Sequence, residues 1–385
     1  MENFVHHQPI KILFGRGMLA QLGAEVSGLG SHLLFVYGRQ SIRRSGLYLQ
    51  LKEQLENSGI RYTEYGNVPP NPRLSDCKRG IEIARQAAID AVLAVGGGSV
   101  IDTAKGIAAG VGVQHDLWKF FTGRKTVRSA LPLLTVPTVA GSGSEINHAM
   151  VLTHDKLGHK FGFAHRLLYP HTCIADPDLT ATVPAQQTAC GAVDTLCHCL
   201  EPYMTARANG IELQRGVLEH ICATVVNTVP ISMEQPKSYS LRAALLWSAM
   251  MAMSPTATAG LGRVYHTLHL LEHGLSARYD IAHGIGLAAL LPGWLRYHQD
   301  EWEESIGRWG SRVFPITSAV SERTEATINE LQNFLNSIGC PTSLAQLGIG
   351  NQQLDSLAEH AEAANRVRPI AGFDRNTACD MLACC

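Results

Sequence analysis

The chain has no CxxC pair. Its 10 cysteines are scattered at Cys77, Cys173, Cys190, Cys197, Cys199, Cys222, Cys340, Cys379, Cys384 and Cys385, and in a chain of this length they read as reduced thiols rather than a disulfide framework. Cys197 and Cys199 flank His198, but on a helix they point about 200° apart and cannot face one ion, so they read as small buried hydrophobes. There is also no basic tract and no basic patch interleaved with aromatics. Lys and Arg total 32 against 33 Asp and Glu, which leaves nucleic acid without an electrostatic footprint. The longest apolar runs, such as Ile285 to Leu291, fall well short of a membrane span. The opening MENFVHHQPIKILFG lacks the charged-then-apolar layout of an export signal, so a cytoplasmic location is expected.

What is present describes a soluble protein with a large core: 385 residues, 45% hydrophobic and 17% charged, enough for two domains. In the first half strand-like and helix-like stretches alternate. SHLLFVYG (31–38), RYTEYG (61–66), AVLAV (91–95) and LPLLTVPT (131–138) read as strands. Between them SGLYLQLKEQLENSG, LSDCKRGIEIARQAAID and VIDTAKGIAAGV read as helices. That alternation predicts βαβ units and a parallel, doubly wound α/β sheet. After about residue 180 the spacing becomes helical throughout, as in GAVDTLCHCLEPYMT, SLRAALLWSAMMAMS and TINELQNFLNSIG. The expected division is an α/β dinucleotide-binding domain over 1–180 and an all-helical metal-binding domain over 181–385, with the boundary near Thr180 to Pro184. No repeat and no low-complexity linker separates the halves, which predicts that they pack around a shared cleft.

Two glycine turns carry the nucleotide argument. VGGGSVIDTAK (95–105) follows a buried strand and opens a helix. Its glycines allow close backbone approach, and the helix start offers free N–H groups for phosphate. TVAGSGSE (138–145) follows the 131–138 strand and precedes helix or loop, so both turns should line the same carboxyl edge of a parallel sheet. The first turn fits neither the GxGxxG nor the Walker pattern. In YGRQSIRRSG (37–46), Arg39, Arg43 and Arg44 cluster with no acidic residue. That composition suits a 2′-phosphate, and equally a solvated basic loop.

The second half holds a set of potential ligands. Asp194 and His198 are i,i+4 on one helix face, as are His269 and His273 on a later helix. His266 lies one turn upstream, and His283 follows in RYDIAHGIG. One carboxylate and several imidazoles suit a divalent ion such as Fe(II) or Zn(II). Spacing alone does not choose among His266, His269 and His273, which cannot all reach one ion.

The segments ILFG, VPPNP, AVGGGSVIDTAK, TVPTVAGSGSE, ADPDLTATVP, GAVDTLCHCLE and HLLEHGL…DIAHG together resemble the iron-activated (group III) alcohol dehydrogenases, from end to end of the chain. The similarity is greatest to their NADPH-dependent butanol dehydrogenase and broad-range aldehyde reductase branch. The resemblance implies a dehydroquinate synthase-like fold and metal ligation by Asp194, His198, His269 and His283, and it sets His266 aside. His273 matches a family histidine that lines the active site as a proton-relay or substrate contact. For the nucleotide, it implies pyrophosphate contacts from Gly96, Gly97, Gly98 and Ser99, supported by Asp102. Asn71, Thr138, Ser142, Asn147, Lys160 and Leu179 fall at nucleotide-contacting positions, and Gly38, Arg39 and Ser41 belong to the same set. NAD-using members carry Asp where Arg39 stands, and close relatives read Gly-Gly at Arg39-Gln40. Arg39 removes a repelling carboxylate and favours NADP(H). The terminal MLACC also departs from the family.

The expected function is metal-dependent, NADP(H)-linked interconversion of aldehydes and primary alcohols, with small molecules as the only substrates and a homodimer as the assembly that base rates favour. The rivals are a glycerol dehydrogenase-like or maleylacetate reductase, a dehydroquinate synthase-like lyase on the same scaffold, a metallohydrolase, and a non-catalytic scaffold protein. A lyase handling a phosphorylated acid would need more cations near the metal residues than Arg263 and Arg278. A hydrolase would leave the glycine turns unexplained.

Overall fold

Strands buried on both faces read as continuous apolar runs, whereas a half-buried strand alternates. The computed structural model, which describes all 385 residues, puts those runs at the centre of a sheet. In chain order the first half contains β1 (Lys11–Phe14), α1 (Leu22–Ser27), β2 (His32–Tyr37), α2 (Ser41–Arg44), α3 (Leu47–Asn57), β3 (Arg61–Tyr65), α4 (Leu74–Gln86) and β4 (Ala91–Gly96). It continues with α5 (Gly98–Gly110), α6 (Trp118–Phe121), β5 (Leu133–Pro137), β6 (Ala149–His154), β7 (His159–Ala164) and β8 (Thr172–Ala175). The six-stranded sheet runs β1-β8-β5-β4-β2-β3 and is parallel throughout. Every residue of β4 and β5 is buried. Leu47, Leu51 and Leu55, spaced one helical turn apart on α3, pack with Leu33, Phe35, Leu93 and Val95 of the sheet. Each such leucine contributes about 1.5–3 kcal/mol of burial.

The strand order reverses between β2 and β4. In a parallel sheet the carboxyl ends flanking such a reversal form a natural ligand crevice. Gly38 and Arg39 follow β2, and Gly97 to Ser99 follow β4.

Two features extend the sequence reading. The short strands β1 and β8 pair with each other and add two members to the sheet. The segment after TVAGSGSE is neither helix nor simple loop: β6 and β7 form an antiparallel hairpin, its turn closed by Gly158 at φ 62°.

The second half is helical: α7 (Ala185–Thr205), α8 (Glu212–Glu234), α9 (Tyr239–Ala252), α10 (Pro255–Thr258), α11 (Thr267–Tyr279), α12 (His283–Tyr297), α13 (Glu303–Val313), α14 (Arg323–Ser337), α15 (Asn351–Asn365) and α16 (Arg375–Ala383). The chain resolves into two compact units, one of residues 8–183 with 236–246, the other of 1–7 with 184–235 and 247–385. Two short exchanges separate this from a single cut. Glu2 N–H donates to Gly260 O (2.9 Å), which ties the first residues to the helical unit. Tyr239 receives the Arg16 N–H on its hydroxyl (3.1 Å) and the Arg16 guanidinium over its ring (4.4 Å), which ties 236–246 to the α/β unit. No helix is long and apolar enough to cross a membrane. The terminal Cys385 accepts the Leu344 N–H at its carbonyl (2.9 Å) and donates from its thiol to Leu290 O (3.3 Å), so the chain ends against α12.

Candidate functional site

From Ala192 to Thr205 every residue of α7 is buried. A helix buried on all sides must pair each polar side chain or use it to hold something. Asp194, His198 and Glu201 occupy one face of that buried stretch, at the i, i+4 and i+7 spacing that stacks side chains along a helix. Opposite them α11 supplies His269 and His273. The chain then reverses at Asp280, which has a left-handed backbone (φ 52°), and α12 begins with His283. Gly284 permits the approach of α12 to α7, because a Cβ there would lie 2.3 Å from Cys190 O.

The ligand atoms converge on one oxygen. Asp194 Oδ1 lies 3.6 Å from His198 Nε2, 3.5 Å from His269 Nε2 and 3.6 Å from His283 Nε2. Tetrahedral coordination by nitrogen and oxygen at about 2.1 Å puts neighbouring ligands about 3.4 Å apart. Asp194, His198 and His269 keep their ligand atoms within 4.8 Å of one another, and His283 reaches the same carboxylate from α12. Asp194 Oδ1 and His269 Nε2 are buried without a hydrogen-bond partner, an arrangement that costs free energy unless a cation satisfies both. The residues therefore fit a divalent ion held by one oxygen and three imidazole nitrogens, a donor set that suits iron or zinc.

Two buried glutamates orient this set from outside, and the sequence reading did not single out either. Glu201 Oε2 hydrogen-bonds His269 Nδ1, and Glu272 Oε2 hydrogen-bonds His283 Nδ1. Glu201 Oε1 also accepts the backbone N–H of Leu268 (2.6 Å) and of His269 (3.3 Å). Ser276 Oγ donates to Glu272 Oε1 and to Ile281 O (3.0 Å). A carboxylate on the far nitrogen fixes the imidazole's rotation and tautomer and raises its basicity as a ligand. His266 meets Glu201 only at 3.4 Å, from an exposed position, with its ring edge-on to His269. Its nitrogen faces that outer carboxylate. His273 is buried on α11, its ring centroid 5.8 Å from that of His283.

The charges follow from this packing. Burial pushes Asp194 up, but the neighbouring His198, His269 and His283 imidazoles pull it well below the usual carboxylate range. Burial also opposes ionisation of Glu201, which His269 and His266 nevertheless bring down to about 2. Burial lowers His198 to about 3. His269 goes the other way: against burial, Glu201 and Asp194 hold it up to about 10. Neither carboxylate is paired with Lys or Arg, so positive charge at this point is supplied by a proton on His269 or by an ion.

In the α/β unit the two glycine turns touch. A Cβ on Gly98 would lie 2.4 Å from Ser142 Oγ, and one on Gly97 would lie 3.6 Å from Val139. Ser99 Oγ hydrogen-bonds Pro70 O, next to the buried Asn71. Asp102 turns toward the second turn and the hairpin, accepting from Ser144 Oγ (2.6 Å) and Val151 N (2.9 Å). Gly96 ends β4 beside Pro137, and the next residue, Thr138, donates its N–H to Gly96 O (3.1 Å). Asn147 is buried after the second turn, and Lys160 is buried on β7. Leu179 stands apart from these polar groups and packs on the sheet core.

Past β2, Gly38 precedes the exposed Arg39, and Ser41 opens α2. The arginine cluster divides here. Arg43 donates to Tyr37 Oη (2.7 Å) and stacks over Tyr48 (3.9 Å), and both tyrosines donate to Glu64 (2.6 and 2.7 Å). Arg43 is thus a structural residue, whereas Arg39 carries an exposed guanidinium with no ion pair.

The comparisons with known proteins cover both halves. Residues 9–177 match the family model "Iron-containing alcohol dehydrogenase", and residues 188–382 match its C-terminal counterpart. A Bacillus subtilis (strain 168) protein named probable NADH-dependent butanol dehydrogenase 1 is 38% identical over 94% of both chains. The NADPH-dependent aldehyde reductase YqhD of Escherichia coli (strain K12) is 31% identical over 94% of this chain and 93% of its own. The crystal structure of NADH-dependent butanol dehydrogenase A from Thermotoga maritima superposes with a TM-score of 0.95 at 34% identity, covering 100% of this chain and 98% of that one. The chain belongs to the iron-containing alcohol dehydrogenase family, whose members are alcohol–aldehyde oxidoreductases.

Proposed function

We propose that the protein is a metal-dependent, NADP(H)-linked reductase of aldehydes that also oxidises the corresponding primary alcohols, of the butanol dehydrogenase and aldehyde reductase kind. The observation that carries this reading is the convergence of three imidazole nitrogens on Asp194 Oδ1. Asp194, His198, His269 and His283 would hold the ion, Fe(II) or Zn(II). A divalent ion bound there supplies Lewis-acid polarisation of a carbonyl oxygen, and a reduced nicotinamide supplies the hydride.

The remaining work falls to the chain's own residues. Glu201 and Glu272 fix the rotation of His269 and His283, so each presents Nε2 inward. Gly96, Gly97, Gly98 and Ser99 bring backbone N–H groups to the nucleotide's pyrophosphate at the start of α5. Asn71, Thr138, Ser142, Asn147, Lys160 and Leu179 complete its contacts, with Gly38 and Ser41 at the adenosine end. The His273 imidazole exchanges the proton gained or lost by the substrate oxygen. The apolar helical surroundings exclude bulk water. Arg39 supports NADP(H) over NAD(H): an exposed, unpaired guanidinium past β2 attracts a 2′-phosphate, and no carboxylate stands in its place. The relatives divide on this point, being named NADH-dependent in Bacillus subtilis and NADPH-dependent in Escherichia coli. The reading is completed by a nucleotide-binding domain over 1–180, a metal-binding domain over 181–385, a cytoplasmic location and a homodimer.

The test follows nicotinamide absorbance with butyraldehyde, NADPH and NADH being run in parallel before and after chelation and refilling with iron or zinc. Oxidation of NADPH that chelation abolishes and metal restores is expected. Preference for NADH would overturn the Arg39 argument alone. No oxidation of either nicotinamide, with any metal and several short aldehydes, would overturn the reaction class.

A further inference from the structure

Lys105 lies two turns inside α5 and is wholly buried (0% exposed). An ammonium taken out of water costs several kcal/mol, which an apolar side chain of similar length would avoid. Its side chain crosses to the segment after the second glycine turn. There Nζ donates to Ser144 O (2.7 Å), Ser144 Oγ (2.8 Å), Asn147 Oδ1 (3.0 Å) and Ala149 O (2.7 Å). Three ammonium hydrogens thus serve four acceptors. Three residues earlier on the same helix, Asp102 takes the Ser144 hydroxyl and the Val151 N–H. Residues 144–151 are therefore fastened to α5 by one cation and one anion.

The fastening matters because of what it joins. α5 begins with the first glycine turn, and residues 138–148 are the second. The turns meet at Gly98 and Ser142, where the absence of a side chain leaves nothing to interlock. Residues 138–148 lie in no helix or strand; backbone bonds hold their two ends, Thr138 N–H to Gly96 O (3.1 Å) and His165 N–H to His148 O (3.1 Å), and the Lys105 partners Ser144 and Asn147 lie between those ends.

We infer that Lys105 is a positioning residue: it joins the two glycine turns into one rigid nucleotide cradle and thereby sets nucleotide affinity. The inference rests on the reading that these turns bind the nucleotide. Lys105 acts through Ser144, Asn147 and Ala149. Of the charged groups around it, Asp102 on α5 and Glu145 in the second turn favour its cationic form against burial. Lys160 faces Asp102 from β7. Cys77 on α4 packs against Gly106, and burial keeps it a neutral thiol.

The experiment compares the full-length protein with Lys105→Met, Ser144→Ala and a control, Ile107→Ala. The control removes a fully buried side chain of the same helix, one that packs against Gly80 of α4. Kd for NADPH and NADH is read by nucleotide fluorescence, and kcat and KM with butyraldehyde. Lys105→Met should raise Kd and nucleotide KM roughly ten- to a hundredfold, as expected for displaced binding groups, with a much smaller change in kcat. Ser144→Ala should raise Kd by less, and it carries the test should Lys105→Met fail to fold. Ile107→Ala should lose thermal stability and keep its Kd. An unchanged Kd in a folded Lys105→Met, in Ser144→Ala where that carries the test, or an equal rise in Ile107→Ala, overturns the inference. A wild-type protein that binds neither nucleotide overturns the underlying reading and the inference with it.

Discussion

Asp194 and Glu201 grip opposite edges of one imidazole. Asp194 Oδ1 lies 3.5 Å from His269 Nε2, while Glu201 Oε2 hydrogen-bonds Nδ1 of the same ring. The two carboxylates are seven residues apart on α7, so a single helix places both the carboxylate that faces Nε2 and the one that holds Nδ1.

Replacing Glu201 with Gln keeps the shape but removes the charge behind His269. Metal affinity should fall roughly ten- to a hundredfold, the usual consequence of losing such an outer partner. Metal content after dialysis against graded chelator measures this. A variant that holds its ion as tightly as the wild type would show that Glu201 only fills space.

The raised basicity of His269 predicts proton release on metal binding. With its pKa held up to about 10 by Glu201 and Asp194, the ring is protonated at neutral pH before an ion arrives. Ligation through Nε2 requires that proton to leave, whereas His198, lowered to about 3, is already neutral. Calorimetry of metal binding at pH 7 in buffers of differing ionisation enthalpy should therefore report about one proton released per ion, and affinity should rise with pH. No release, or affinity that falls between pH 6 and 8, contradicts the assignment.

Gly284→Ala should damage the metal site more than the fold. The added methyl would stand 2.3 Å from the Cys190 carbonyl, a backbone atom that cannot rotate away, so α12 and its first residue, His283, must shift. Overpacking of this kind costs about 1–3 kcal/mol. A modest drop in melting temperature with loss of bound metal is expected. Full metal occupancy would mean that the contact does not position His283.

Arg39→Gly tests nucleotide choice. If the guanidinium meets a 2′-phosphate, the NADPH-to-NADH ratio of kcat/KM should fall roughly tenfold or more, as for the loss of a charge-assisted hydrogen bond. Arg43→Gly is the contrasting case. It should lower stability through the Tyr37–Tyr48–Glu64 network and leave that ratio alone.

The fold was legible wherever a run was long and apolar. AVLAV and LPLLTVPT could hardly be anything but buried strands, and α3 shows its leucines at helical spacing. KILF and TCIA escaped because four residues carry no period. The β6–β7 hairpin escaped because His, Lys and Asp interrupt its alternation and its turn is marked only by Gly158. At the site, spacing brought Asp194 and His198 onto one helix face, but family resemblance was needed to choose among the later histidines. Glu201, Glu272 and Lys105 were passed over for one reason: a charged residue on a helix ordinarily faces water. The signal available was their context. Glu201 follows the apolar run of GAVDTLCHCLE, and Glu272 sits between two histidines and two leucines in HLLEH. In the arginine cluster composition alone left three neighbouring cations alike; the resemblance singled out Arg39, and the contacts of Arg43 with Tyr37 and Tyr48 show that Arg43 is structural.

The most direct test of the account counts metal and turnover together in the wild type and in Asp194→Ala. By elemental analysis the wild type should carry about one iron or zinc per chain. Asp194→Ala should remain folded by circular dichroism, bind nucleotide with unchanged Kd, carry no ion and lose aldehyde reduction. A metal-free wild type that still reduces butyraldehyde, or an Asp194→Ala variant that keeps both ion and activity, would contradict the assignment of this cluster as the catalytic metal centre.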